Sequence, residues 1–544
     1  MLRLSDQAAI AADEPLRNKS QSSRGPDVEL VIVGSGFSGL GFAIKLKKAG
    51  VNNFVVLERA SEVGGVWRDN DWPGLAVDAP IFAYCYEFEP NPEFSRLFPP
   101  RSEIKQYADH CAAKYGVLRH LRFNQTVKEA IFDEDENVWL VRTADGQEIS
   151  TRYLISATNA FGTPRSPGIA GLRSFKGRLI HPATWDYDFD LRGKSVAVIG
   201  TGATAVQLVP ALAAVVKNLV VYQRTAVWCL PKGDYIISEE TKKWYRRFPR
   251  LIKLKRLYGA IPGEILFGFG VIKFRKYPKI LSNIERALRG VLATVVKDPL
   301  IREKLTPTYG VLCKRPAITD DYWPTFNREN VELITEPIRA VTDTGVLNED
   351  GRARSVDAII TATGYEMYGR YTPVTFDVVG RNGVNLGEFW VQNGFQAYEG
   401  VAMPGFPNFF MFCGPTSQGG YTYFNMIRNS GWFILRALKH AWRGRMNFIE
   451  VTNEAHRKDR EYLLTAEKDC AFLNNNCGQS NTYYVDLHGH VTFQRMSPDY
   501  RQIWRGLFSS MKDYRFEARG SSDEKALWST AQYPSESVAE SAPS

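Results

Sequence analysis

Two glycine-rich turns could each bind the diphosphate of a nucleotide. The first turn is Gly34-Ser35-Gly36-Phe37-Ser38-Gly39 and the second is Gly200-Thr201-Gly202-Ala203-Thr204-Ala205. In such a turn the first glycine allows a sharp bend and the second lets the backbone approach the phosphates. The third small residue lets the next helix pack on the strand, with its N-terminus facing the phosphate charge. The chain is therefore predicted to contain two dinucleotide sites.

The first turn lies in a strand-turn-helix-strand pattern. The apolar run Val28–Val33 predicts a buried parallel strand, a helix is expected from about Gly39 to Ala49, and Phe54–Leu57 predicts the next strand. Glu58 follows Gly36 by 22 residues, where a carboxylate accepts a hydrogen bond from a ribose 2′-hydroxyl. This unit should hold a nucleotide with a free ribose, such as FAD. The alternative is a glycine-rich turn with no ligand.

The second turn repeats the plan with a different charge. Ser195–Ile199 and Leu219–Tyr222 predict its strands, and Arg224 stands 22 residues beyond Gly202. An arginine at this position favours a 2′-phosphate, whereas an acid would repel it. The second unit should therefore bind NADPH in preference to NADH. The alternative is that Arg224 is only a surface charge.

Length and composition indicate a globular protein of at least two units. The chain has 544 residues, of which 44% are hydrophobic and 23% charged, with a net charge of +9 and an isoelectric point near 9.0. That charge would suit nucleic acid, a membrane surface or anionic cofactors. A generally basic enzyme is the interpretation we favour, with no nucleic-acid partner.

The cysteines and the hydropathy pattern suggest a cytoplasmic location. The seven cysteines are scattered, with no CxxC pair and no Cys/His metal spacing. We therefore expect reduced thiols, no bound metal and a cytoplasmic protein. No apolar run approaches the roughly 18 residues that a membrane-spanning helix requires, so no integral membrane span is predicted.

The fold class expected is α/β, with two Rossmann-like dinucleotide-binding domains and a helical insertion in the second. Strands ending near Thr158 and near Gly364 are expected to lead from one domain to the other. The predicted divisions are a mobile tail (1–27), the first part of an FAD domain (28–163), an NADPH domain (164–367) with a helical insertion (about 235–312), the rest of the FAD domain with active-site loops (368–518), and a second tail (519–544).

A basic stretch within the insertion permits two interpretations. Residues 240–300 are dense in Lys, Arg and aromatic side chains, and an apolar run follows at Ile265–Ile272. Such a stretch could rest on a membrane surface or on nucleic acid. The alternative, which we favour, is a helical subdomain with a solvated basic face.

The segment between the two turns carries the most specific pattern. It reads Phe175-x-Gly177-x-x-x-His181-x-x-x-Trp185-Asp186 and resembles the fingerprint of type I Baeyer–Villiger monooxygenases, which are class B flavoprotein monooxygenases. The resemblance extends from about Val28 to Arg505. It implies FAD and NADPH as cofactors, and insertion of one oxygen atom from O2 beside a ketone carbonyl. The product would be an ester or lactone, formed through a flavin peroxide.

The resemblance also implies site residues. The FAD contacts implied are Gly34, Gly36, Phe37, Ser38, Gly39, Glu58, Gly65, Val66, Trp67, Asp78, Tyr84, Val127 and Met426. The NADPH contacts implied are Thr201, Gly202, Ala203, Thr204, Ala205, Gln207, Arg224, Thr225, Lys314 and Arg315. The catalytic residues implied are Arg315, Asp78 and His181.

Each implied catalytic role has a simpler rival. Arg315 would stabilise anionic oxygen, since a guanidinium stays charged at working pH, and Asp78 would orient it. The rival for both is an ion pair that bridges the domains. His181 could couple the two nucleotide sites or could be a structural linker histidine, and Trp185 is expected to pack.

The sequence departs from the family pattern in two places. Leu75-Ala76-Val77 precedes Asp78, where the family often has Arg and Cys, and Thr482-Tyr483-Tyr484 replaces a Ser-Trp-Tyr motif. The family tryptophan lies on a mobile loop that touches NADP and substrate. The second departure therefore bears on substrate range and coupling.

Three other functions stay open at this stage. The same fold could oxygenate sulfur or nitrogen, or act as an NADPH-dependent disulfide or quinone reductase, although the absence of CxxC argues against disulfide chemistry. The basic stretch could instead make the protein a binding module. The identity of the ketone and the oligomeric state, monomer or weak dimer, are not predicted.

Overall fold

The computed structural model describes residues 25–158, 161, 164–419, 422–480 and 482–519. Most of the two predicted tails, 1–24 and 520–544, lies outside the described residues. The strands in chain order are β1 (Val28–Val33), β2 (Phe54–Leu57), β3 (Leu121–Arg122), β4 (Val127–Asp133), β5 (Val138–Thr143), β6 (Glu148–Ser156), β7 (Arg178–Ile180), β8 (Ser195–Ile199), β9 (Asn218–Tyr222), β10 (Cys229–Leu230), β11 (Ala317–Ile318), β12 (Val331–Ile334), β13 (Ile338–Thr342), β14 (Gly345–Asn348), β15 (Ala353–Ser355), β16 (Ala358–Thr361), β17 (Asp377–Val379), β18 (Phe409–Met411), β19 (Phe448–Val451) and β20 (Tyr514–Glu517).

Helices connect and cover these strands. They are α1 (Phe37–Lys48), α2 (Val66–Asp69), α3 (Arg101–Lys114), α4 (Ala203–Ala213), α5 (Glu239–Arg247), α6 (Arg250–Ile265), α7 (Lys279–Val295), α8 (Pro299–Leu305), α9 (Tyr322–Thr325), α10 (Leu386–Asn393), α11 (Tyr423–Arg443), α12 (Asn453–Glu467), α13 (Ala471–Asn474) and α14 (Asp499–Phe508). A π-helical turn over Leu266–Ile272 continues α6. None of these helices is both long and apolar enough to cross a membrane.

The larger sheet is built around β1. Its order is β17-β4-β5-β6-β1-β2-β3, with β18 also paired to β6. β1 runs parallel to β2 and β6, and its last four residues are buried. A strand covered on both faces needs such a continuous apolar run. The β4-β5-β6 part is antiparallel, a feature that the sequence analysis did not predict.

The smaller sheet is parallel throughout, with the order β12-β9-β8-β16-β7. β8 stands at its centre, between β9 and β16. β7 carries the start of the fingerprint segment and forms an edge of this sheet. One mixed sheet with a parallel part around β1 and one wholly parallel sheet, both packed against helices, confirm the predicted α/β fold class.

Two connections join the domains side by side. Pro164 forms an antiparallel bridge with Tyr365, and the Arg165 amide donates to the Gly364 carbonyl over 2.9 Å. The Thr363 hydroxyl donates to the Arg165 carbonyl over 2.6 Å. The chain therefore leaves the first domain and returns to it through one double-stranded hinge.

The C-terminal third does not pack with the FAD domain alone. α11 and β18 join the core beneath β1, but Phe472, Tyr484 and Val491 pack into the core of the smaller sheet. The predicted division at 368–518 therefore contains a segment that covers the second domain.

The expectation of reduced cysteines is wrong for one pair. Cys313 and Cys477 form a disulfide across 164 residues of sequence. Cys85, Cys111, Cys229, Cys413 and Cys470 are free. Sequence spacing could not show the pair, because its closeness depends on the folding of the insertion and of the C-terminal segment.

Candidate active site

The first turn forms a close backbone cradle. Gly34 has φ of +103°, which favours glycine, and a Cβ on Gly39 would lie 1.9 Å from the Gly34 carbonyl oxygen. Gly65 approaches from a second loop, where a Cβ would lie 2.9 Å from the Gly36 Cα. Backbone is therefore brought together at the N-terminus of α1, as a diphosphate site requires.

Glu58 secures this turn from the end of β2. Its carboxylate accepts from the Ser35 amide at 2.8 Å and the Ser35 hydroxyl at 2.6 Å, and it pairs with Arg68 at 3.0 Å. The Ala60 amide donates to the other oxygen. The ribose contact predicted for Glu58 would have to join these bonds on a buried carboxylate.

The second turn has the same geometry over the smaller sheet. Gly200 has φ of +119°, and a Cβ there would lie 2.3 Å from the Ala362 carbonyl oxygen. A Cβ on Gly202 would meet nothing within 4 Å, so the backbone at the start of α4 is accessible. The Thr201 hydroxyl donates to the Thr225 carbonyl at 2.7 Å. This bond holds the turn against the segment that carries Arg224.

Two cations without acidic partners stand together beside this turn. Burial, and then the nearby Arg224, lower the pKa of Lys314. Neither side chain forms an ion pair with any described residue. Like charges held close without an anion are destabilising unless a ligand neutralises them. The pair therefore fits the 2′-phosphate that the sequence predicted here.

The loop containing Asp78 is held against the second domain. The Gln207 side chain on α4 donates to the Ala76 carbonyl at 3.0 Å and accepts from the Ala76 amide at 3.3 Å. A Cβ on Gly74 would lie 2.7 Å from the Gln207 carbonyl oxygen. Gln207, predicted to contact NADPH, thus uses its side-chain amide to position the loop.

Arg315 and Asp78 meet across the interface between the domains. One guanidinium nitrogen of Arg315 lies 3.0 Å from each carboxylate oxygen of Asp78. The side chains are 48% and 29% exposed, so the pair faces open space. Asp78 raises the pKa of Arg315 above its usual value, which secures the positive charge at all working pH values.

Tyrosines from the C-terminal loop surround this ion pair. Tyr483 and Tyr484 both lie close to the Arg315 guanidinium, and burial raises the pKa of each phenol, so both stay neutral. The Tyr483 ring packs edge-on against Phe493 at 5.0 Å. The Tyr368 hydroxyl donates to the Tyr483 carbonyl at 2.6 Å. Tyr483, which stands in place of the family tryptophan, therefore lies beside the Arg315 guanidinium.

His181 lies at the hinge and keeps one polar atom unused. Its Nδ1 accepts from the Ala183 amide at 3.1 Å, so Nε2 carries the proton. Nε2 is buried and has no hydrogen-bond partner among the described residues. Burial lowers the pKa of His181, which keeps the ring neutral at pH 7. Its ring stands edge-on to Tyr365 of the hinge at 6.5 Å.

Several other residues predicted to contact FAD pack together beside the first turn. Trp67 on α2 donates its indole N–H to the Tyr84 hydroxyl at 2.9 Å, and Phe37 packs on Phe424 at 5.1 Å. Met426 is fully buried. Of the remaining predicted residues, Val127 opens β4 and Val66 opens α2; Ala203, Thr204 and Ala205 form the first turn of α4.

Sequence reasoning missed Tyr423 at this site. Its hydroxyl lies 2.8 Å from that of Ser38, a predicted FAD contact, and 3.6 Å from the Cys413 sulfur. Burial raises the pKa of Cys413 to about 11, so the thiol stays protonated. No linear motif marks this cluster, because Ser38 and Tyr423 are 385 residues apart in the sequence.

These features define a class of protein: a flavoprotein with two nucleotide folds, whose domains meet at a fixed arginine. Comparison with known proteins agrees. Residues 31–247 match the family model for pyridine nucleotide-disulphide oxidoreductases. A Baeyer–Villiger monooxygenase of Pseudomonas aeruginosa is 38% identical, over 80% of this chain and 81% of that protein. One of Streptomyces coelicolor is 37% identical, over 86% and 88%.

A solved structure shows the same fold over nearly the whole chain. The crystal structure of OTEMO in complex with FAD and NADP is matched with a TM-score of 0.79 and 27% identity, covering 91% of this chain and all of that one. The chain belongs to the Baeyer–Villiger monooxygenase family. The family prediction made from the fingerprint and the two turns is confirmed.

Proposed function

We propose that this enzyme uses FAD, NADPH and O2 to insert one oxygen atom between the carbonyl carbon of a ketone and an adjacent carbon. The second oxygen atom leaves as water, and NADPH supplies the two electrons. The bound cofactors supply hydride transfer and oxygen activation. The observation that carries the proposal is the Arg315–Asp78 pair, open to space between the two nucleotide turns.

Arg315 would stabilise negative charge on oxygen during attack on the carbonyl. A preorganised cation in a site shielded from water is worth much more than one in solution. Asp78 positions the guanidinium and leaves part of it exposed toward the substrate. An electrophilic oxygenation of sulfur would depend less on this cation, because no carbonyl oxyanion forms.

The remaining residues would bind and shield. Lys314 and Arg224 would hold the 2′-phosphate of NADPH, and the unused Nε2–H of His181 would donate a hydrogen bond near the hinge. Tyr483 and Phe493 would exclude water from the ion pair. We further propose that the enzyme acts in the cytoplasm, which the five free cysteines support and to which the Cys313–Cys477 disulfide is an exception.

The decisive experiment combines kinetics with product analysis. The FAD-loaded protein is supplied with NADPH, ¹⁸O2 and a panel of ketones and sulfides. We expect an ester or lactone carrying one labelled atom, and faster turnover with NADPH than with NADH. Sulfoxide products without any ester would show that the enzyme oxygenates soft nucleophiles. NADPH oxidation that yields neither oxygenated product would contradict the proposal.

A further inference from the structure

Helix α6 has an outward face that the described residues leave uncovered. Five of its apolar side chains are each at least 50% exposed: Leu254, Leu257, Tyr258, Ile261 and Ile265. At 100° per residue these side chains share one side of the helix. A solvent-facing stripe of this kind marks an interaction surface, because single exposed apolar residues are common but aligned ones are not.

The opposite side of α6 is anchored in the enzyme. Ile252 is buried, and Arg256 donates to the Cys85 carbonyl at 2.8 Å and to the Asn425 side chain at 3.1 Å. At the C-terminal end of the helix, along the edge of the stripe, the Glu264 carboxylate accepts from the Asp499 amide at 3.0 Å. The helix is therefore fixed in orientation, and its apolar stripe is held outward.

Aromatic side chains extend the stripe onto α5. Trp244 and Phe248 stack at 5.6 Å and are both exposed. The Leu251 amide donates to the Phe248 carbonyl at 2.9 Å, so the aromatic pair adjoins the start of α6. Tryptophan and phenylalanine beside leucine and isoleucine suit the boundary between headgroups and acyl chains.

The surroundings of the stripe are strongly basic. Residues 239–279 contain twelve Lys and Arg against three Asp and Glu, a surplus equal to the +9 of the whole chain. Eight of the twelve have no acidic partner among the described residues: Lys243, Arg247, Arg250, Lys253, Lys255, Lys273, Lys276 and Lys279. Uncompensated cations beside an apolar stripe complement an anionic lipid surface.

We propose that α5 and α6 dock the enzyme peripherally on anionic membranes. Leu254, Ile261 and Ile265 would enter the boundary region, and the flanking basic side chains would pair with headgroup phosphates. A second copy of the chain fits less well, since two such faces would repel each other. Nucleic acid would leave the aliphatic side chains without a partner. This inference is independent of the reaction proposed above.

The test is vesicle flotation of the FAD-loaded enzyme. Vesicles of phosphatidylcholine alone are compared with vesicles of phosphatidylcholine and phosphatidylglycerol in equal amounts. We expect binding to the mixed vesicles that is at least about tenfold tighter and weakens with salt. The double variant L254E/I261E should lose binding while keeping FAD and NADPH oxidation. L300E, at an exposed leucine on α8, is the matched control and should bind normally.

Four outcomes would overturn the proposal. If the wild-type enzyme does not float with the mixed vesicles, the stripe does not bind lipid. The same conclusion follows if L254E/I261E floats as the wild type does. A concentration-dependent dimer that L254E/I261E abolishes, without vesicle binding, assigns the stripe to a second copy. Vesicle binding by a chain that ends at Arg519, without binding by the full-length chain, would assign the stripe to the C-terminal segment as its occupant.

Discussion

Arg315 is the residue on which the proposed reaction depends most directly. Arg315→Ala removes the fixed cation, and we expect ketone oxygenation to fall roughly 100- to 1,000-fold, as when an oxyanion-stabilising group is removed. Arg315→Lys keeps the charge but not the planar fork, so it should recover only part of the activity. Ester formation by the FAD-loaded variants measures the effect. Equal ester formation by Arg315→Ala and wild type would reduce the Arg315–Asp78 pair to a domain bridge.

Arg224 should determine the choice of nicotinamide cofactor. Arg224→Ala removes a charged contact to the 2′-phosphate, and the KM for NADPH should rise by roughly 10- to 100-fold. The KM for NADH should change little, because NADH has no 2′-phosphate, so it serves as the internal control. Parallel increases for both cofactors would place Arg224 in the structure of the domain instead.

The identities of these residues could be predicted from sequence, but their partnerships could not. Charge at a fixed distance from a glycine turn indicated Glu58 and Arg224. The burial of Glu58 beneath Ser35 and Arg68 could not be predicted, because its neighbours come from separate loops. The contact of Tyr423 with Ser38 could not be predicted for the same reason, since the two residues are far apart in the sequence.

At the scale of elements, hydrophobic periodicity predicted the buried parallel strands and the helices that follow them. The strand Val28–Val33 was predicted with its bounds, and the helix expected from about Gly39 to Ala49 extends over Phe37–Lys48. The antiparallel strands β4 and β5 were missed. Buried and exposed residues do not alternate strictly along either strand, so the period of two that marks a half-buried strand is weak. The pairing of the two strands depends on the rest of the sheet.

The disulfide ties two elements of the site together. Cys313 immediately precedes Lys314, and Cys477 lies a few residues before Tyr483. Cys477→Ser should therefore loosen the C-terminal loop over Arg315, raise the share of NADPH oxidation that ends in hydrogen peroxide, and lower stability by roughly 2 to 5 kcal/mol.

Coupling measured with and without a reductant tests this role. Dithiothreitol should make the wild-type enzyme behave like Cys477→Ser and should leave the variant unchanged. Wild-type enzyme whose peroxide yield and melting temperature ignore the reductant would show that the bond does not restrain the loop.

At the scale of the whole molecule, His456 makes stability depend on pH. Burial lowers the pKa of this α12 histidine from 6.5 to about 4, with Asp459 raising it and Arg460 lowering it. Between these values the unfolded chain binds a proton that the folded chain does not. Stability is therefore lost as the pH falls from 6.5 to 4, by up to about 3 kcal/mol.

Denaturant unfolding across that pH range checks the prediction. His456→Gln cannot titrate and should flatten the pH dependence by this amount. Leu300→Gln, at an exposed leucine of α8, adds and removes no titratable group and should leave the profile unchanged. A profile for His456→Gln that matches wild type would assign the acid sensitivity to carboxylates.

The two adjoining connections at Arg165 and Gly364 also limit how the domains can move. Two chain segments that are hydrogen-bonded side by side can bend together, but they resist twisting, so they favour rotation about a single axis. Arg315 belongs to the second domain, whereas Asp78 belongs to the first. A rotation of the second domain about this hinge would therefore separate Arg315 from Asp78 along a single arc, and His181 stands beside the hinge at Tyr365.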